Sequence, residues 1–75
     1  MNGMEWAVLS AYARWLPPGP ERQQVRQVAS LYRPERYAPS LGAAEDAGLT
    51  SKANLTPKGL EAARHFIRNL HEAAA

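Results

Sequence analysis

Six prolines punctuate this chain and decide where its helices can begin and end. Proline has no backbone donor and its ring clashes with the turn before it, so it stops a helix or opens one. Pro17-Pro18-Gly19-Pro20 therefore closes a first helix over residues 4–16 and opens a second over 20–33. Glu21 sits in the first turn of that second helix, where the dipole favours a negative charge. Pro34 and Pro39 bracket a joint, Pro34-Glu35-Arg36-Tyr37-Ala38-Pro39, followed by a short third helix over 40–47 with Ser40 as its N-cap. Thr56-Pro57 joins a capping hydroxyl to a proline at the first helical position and predicts a last helix over 57–72, with Ala73–Ala75 fraying. Between them, Leu49-Thr50-Ser51 and Asn54-Leu55-Thr56 read as two very short strands of a hairpin spanning 49–56. Its two-residue loop, Lys52-Ala53, lacks the glycine or asparagine that such turns favour.

Helical periodicity then sorts the apolar residues. In the first helix Trp6, Leu9, Ala13 and Leu16 form one stripe, and Val8, Tyr12 and Trp15 a second beside it. A helix apolar on two faces is either central or shared with another chain. The second helix turns Val25, Val28, Ala29 and Tyr32 inward, with Leu31 flanking them. The third turns Leu41 and Ala44 inward. The last carries Leu60, Ala63, Ile67 and Leu70, with Phe66 alongside.

The chain has 75 residues, which is one domain at most, over 1–75. Of its 34 apolar residues 14 are alanine, leaving 20 large side chains, barely a core. An enclosed catalytic cavity would compete for the same residues, so a binding module is expected rather than an enzyme, with no catalytic residues and no cofactor. No cysteine is present, which removes disulfides, thiolate zinc sites and thiol nucleophiles and favours a cytoplasmic home. No apolar run approaches membrane-spanning length, so no membrane partner is expected. The N-terminus, Met1-Asn2-Gly3-Met4-Glu5, does not read as a signal peptide. Glu61 and His65 share a helix face, but no third ligand stands at a usable offset, so no metal site is expected. No glycine-rich phosphate loop or Ser/His/Asp set is found.

The segment Leu41-Gly42-Ala43-Ala44-Glu45-Asp46-Ala47-Gly48-Leu49-Thr50, followed by Leu55-Thr56-Pro57-Lys58-Gly59-Leu60-Glu61, resembles the winged helix-turn-helix family of small bacterial, archaeal and phage regulators. Leu41, Ala44, Gly48 and Leu49 match the end of the family's third helix. Leu55 to Gly59 match the exit from its wing. The resemblance implies a mainly α fold: a three-helix core, a minimal two-stranded β-wing and a C-terminal helix. The physics of the matched residues agrees. Gly48 permits a sharp turn from helix to strand. Leu49 and Leu55 would each send a side chain into the core. Gly59, which costs roughly 1 kcal/mol within a helix, suits a place where the wing backbone passes close by.

The resemblance implies duplex DNA as partner, with the third helix in the major groove and the wing on phosphate or the minor groove. The third helix departs from that pattern. It exposes Ser40, Gly42, Ala43, Glu45 and Asp46, none of which is the Arg, Lys, Asn or Gln that reads guanine and adenine edges. The positive charge lies elsewhere, with seven arginines among nine basic residues and a net charge of +2. Arg22, Arg26, Arg33 and Arg36 form a candidate phosphate stripe, joined by Ser40, by Thr50, Ser51 and Lys52 of the wing, and by Lys58. The expected function is a small non-catalytic DNA-binding regulator. Val8, Tyr12 and Trp15 are expected to form a homodimer seam. Glu45 and Asp46 are expected to meet arginines of a second subunit or a protein partner. The alternative is a phage- or plasmid-type accessory protein that keeps the fold but binds a larger protein complex, inhibiting or adapting it.

Overall fold

The computed structural model describes residues 3–74, with side chains described through Leu70. Four helices and one hairpin follow in order: α1 (Gly3–Trp15), α2 (Pro20–Leu31), α3 (Tyr37–Asp46), β1 (Thr50–Ser51), β2 (Asn54–Leu55) and α4 (Pro57–Ala74). The strands are antiparallel, with Thr50 opposite Leu55 and Ser51 opposite Asn54. The architecture is mainly helical with a small two-stranded sheet. The prolines open α2 and α4 and close α1 as expected, while α2 ends at Leu31, two residues short of Arg33, with Tyr32 as its C-cap. The last helix continues to Ala74, through two of the three alanines expected to fray; Ala75, like Met1 and Asn2, lies outside the described residues.

The third helix differs from its expected bounds. It begins at Tyr37, three residues before Ser40, with Arg36 as N-cap and Pro39 inside the first turn. Proline is tolerated there because the first turn's N–H groups have no intrahelical acceptor in any case. What favours the early start is Tyr37, whose ring stacks on Trp6 of α1 at 4.8 Å between centroids. Ser40 is therefore not a cap. It faces Gly3, where a Cβ would overlap its hydroxyl. Ser40, Ala44 and Ala47 define the inner stripe of α3, and Leu41 lies about a quarter turn away from it. Leu41 is accordingly exposed, and Leu31 at the end of α2 is more so. Both were expected at or beside the core.

The helix ends at α3 as expected. Gly48 has φ 78°, its N–H donates to Glu45 O at 2.9 Å, and Leu49 N–H donates to Ala44 O at 2.9 Å. This paired closure satisfies two otherwise orphaned carbonyls. Lys58 Nζ donates to a third, Ala47 O, at 3.0 Å. Thr56 caps α4: Gly59 N–H donates to Thr56 Oγ1 at 3.0 Å, and that hydroxyl donates to Gly48 O at 2.7 Å. Gly59 is required where it stands, because the Leu49 carbonyl occupies the space a Cβ would need. At the hairpin tip Lys52 (φ 51°) and Ala53 (φ 67°) both take left-handed backbone. That backbone suits the twist of a two-residue hairpin but is costly for residues with a Cβ. The Ala53 carbonyl is held by Arg14 Nη2 at 2.8 Å.

The core sits around α1, which packs against every other helix and against β2. Val8 (0% exposed) and Tyr12 (6%) are inside it, so the expected dimer seam is corrected. α1 is apolar on two faces because it is central, with α2 and α3 on different sides of it. Only Trp15 of the three is open to solvent, at 52%, its ring stacked on Tyr12. Half of the buried apolar residues are alanines: Ala7, Ala11, Ala13, Ala29, Ala44 and Ala63. Small side chains let the helices approach closely, so a core that looks meagre when only large residues are counted closes tightly.

Candidate functional site: an arginine groove between α1 and α2

Ala13 and Ala29 bring α1 and α2 together, and the small side chains leave a concavity above them of about 320 Å³. Its α2 wall carries Arg22, Arg26 and Ala29 at i, i+4 and i+7, with Arg33 just beyond the end of the helix. Its α1 wall is Trp6, Ser10, Ala13 and Arg14. Four arginines thus contribute to one groove, Arg14 with its guanidinium turned to the hairpin, and among the described residues no carboxylate lines it.

Two of the four are fixed by backbone carbonyls. Arg22 Nε donates to Ala13 O at 2.8 Å and its Nη2 to Arg14 O at 3.4 Å, so its cation sits at the negative end of the α1 dipole. Arg14 is held by the hairpin through Ala53 O. A guanidinium carries five donors, so both keep donors for a ligand. Arg26 and Arg33 are exposed, and their guanidiniums make no ion pair or hydrogen bond among the described residues. Like charges converging on one concavity repel each other, and an anion in the groove relieves that repulsion. Planar guanidiniums suit phosphate or carboxylate oxygens in particular. At the Trp6 wall the groove adjoins the Trp6–Tyr37 stack, and Tyr37 is 49% exposed.

Of the residues expected to meet nucleic acid, Arg22, Arg26 and Arg33 are brought together. Arg36 is exposed but sits at the start of α3, outside the groove wall. Ser40 packs against α1. Thr50 is 7% exposed and is corrected to a core position, since its side chain points inward from β1. Ser51 and Lys52 are exposed on the hairpin, and Lys58 is engaged at the end of α3. Glu45 and Asp46 are exposed on α3, away from the groove. Arg14, which in sequence only interrupts the apolar surface of the first helix, is the functional candidate missed. Its signal was the spacing Trp6, Ser10, Ala13, Arg14 on one face.

A second concavity of about 440 Å³ lies between α2 and α4, with Val25, Val28, Ile67 and Tyr12 in its walls and Glu21 and Arg68 among its polar residues. On α4, the Asn69 side-chain nitrogen lies 3.2 Å from His65 Nε2. Among the described residues no group of three potential ligands could hold a metal, and no helix is long and apolar enough to cross a membrane. Comparison with known proteins finds no matching family, curated relative or solved structure.

Proposed function

We propose that this chain is a small, non-catalytic DNA-binding protein of winged-helix type, a regulator that acts by occupying its site. The observation that carries it is the groove lined by Arg14, Arg22, Arg26 and Arg33, with no carboxylate in its wall among the described residues. Arginine is the side chain best suited to hold phosphate oxygens in defined geometry, and phosphate contacts dominate DNA affinity. The helix order, the glycine closure at Gly48, the short hairpin and the Thr56-Pro57 start of α4 support the winged-helix assignment. The groove, rather than α3, is the anchoring surface. Titration of labelled DNA at rising salt tests this. Affinity should fall steeply, and Arg26→Ala should weaken binding at all sequences and lower the salt slope by about 1. Absence of any salt-sensitive binding at low ionic strength overturns the proposal.

A second reading is favoured by α3, where exposed Leu41 stands one turn before Glu45. An apolar residue beside a carboxylate suits a protein partner better than a phosphate backbone. On this reading the chain docks on a larger protein complex through α3. A stoichiometric partner captured without DNA, and lost on Leu41→Arg, would favour it over DNA binding.

A further inference from the structure

The DNA-binding proposal leaves open which form of DNA enters the groove. From the groove and the aromatic pair at its side, we infer that the form bound is an unpaired strand, its phosphates on the arginines and a base stacked on Tyr37. The inference rests on the DNA-binding reading above and narrows it.

Three observations lead there. First, the arginines converge into a concavity rather than standing on a ridge. Arg22 to Ala29 spans seven helical steps, about 10 Å at the rise of a helix, and Arg33 extends the wall beyond the helix end, enough for a few nucleotides of a backbone that can bend. A rigid duplex meets the rims of such a groove, whereas a flexible strand follows its floor. Second, Trp6 is both a wall of the groove and the inner ring of a stacked pair. Tyr37 is the outer ring and is half exposed, so the stack extends from the groove towards solvent. Paired bases keep their faces inside the duplex and have no use for such a ring. An unpaired base stacks on it. A positive groove beside exposed aromatics is the general means by which proteins hold single strands. Third, the element that would read a duplex is unsuited to it. The outer face of α3 carries Leu41 with Glu45 and Asp46, whose carboxylates repel phosphate, and none of the Arg, Lys, Asn or Gln side chains that read guanine and adenine edges.

Tyr37 stacks on Trp6 and starts α3, so Tyr37→Phe, which keeps that stack, is the control for Tyr37→Ala, and circular dichroism checks that the helices are kept in both. The test compares a labelled oligothymidine of about ten nucleotides with a duplex of the same length, by fluorescence anisotropy at matched salt. The expected result is a single strand bound about tenfold or more tightly than duplex. Tyr37→Ala should remove that preference by weakening single-strand binding about tenfold, and Tyr37→Phe should keep it. In a Trp15→Phe background, Trp6 emission should change on adding the single strand and not on adding duplex. Duplex bound as well as single strand, with Tyr37→Ala without effect and Arg26→Ala still weakening, overturns this inference and leaves the DNA-binding proposal standing. Binding of neither form overturns both.

Discussion

The α1–α2 groove and the outer face of α3 are both exposed helical surfaces, yet they differ in every property that matters for a polyanion. The groove gathers Arg22, Arg26 and Arg33 around two alanines, fixes Arg22 through the carbonyls of Ala13 and Arg14, and has Arg14 at its edge, held by Ala53 O. The α3 face presents Glu45, Asp46 and Leu41 on a convex surface with nothing pinning their side chains. The lesson is that helix order does not determine which helix meets a ligand. In this chain α3 is acidic on its outer face, and the arginines gather on the pair of helices before it.

Charge reversal gives the largest effect. Arg26→Glu with Arg33→Glu should reduce DNA affinity on the order of 100-fold at about 100 mM salt, as measured by anisotropy. Circular dichroism should be unchanged, since neither side chain has a partner to lose. Truncation sharpens the contrast. Arg26→Ala with Arg33→Ala should lower the slope of log affinity against log salt by about 2. The same measurement on Glu45→Ala with Asp46→Ala should change affinity by less than about threefold, because screening weakens charges more than a Debye length from the bound phosphates. The smallest effect is on stability. Ala53→Gly relieves a left-handed alanine and should stabilise the fold by about 1 kcal/mol in urea denaturation. It keeps the carbonyl that holds Arg14, so DNA affinity should not change.

Much of the fold was legible because its punctuation is local. The prolines at 17, 18, 20 and 57, the Thr56 hydroxyl cap and Gly48 act within their own few residues, and each did what its chemistry demands; Pro39, inside α3, did not mark a boundary. Gly59 was legible too, since a glycine in a helix needs a nearby backbone to explain it. The start of α3 was not legible. It depends on Tyr37 finding Trp6, some thirty residues earlier in the chain, and that contact also turned Leu41 outward. Counting large residues misjudged the core, because close helix approach gives alanines such as Ala7 and Ala44 full burial. The same error made Val8 and Tyr12 look like surplus fit for a second subunit. On the α2 side Arg22 and Arg26 were readable from spacing alone, and Arg33 joins them from just past the helix end. Its α1 side was not, because Arg14 joins only through the crossing of two helices and the hairpin carbonyl that holds it.

The central claim is that DNA is held by the α1–α2 arginines and not by α3. The most direct test is the salt dependence of DNA affinity for three proteins: the parent chain, Arg26→Ala/Arg33→Ala, and Glu45→Ala/Asp46→Ala. The account predicts a slope lower by about 2 in the arginine variant and unchanged in the α3 variant. A slope unchanged in the arginine variant, with affinity responding to the α3 substitutions, would contradict it.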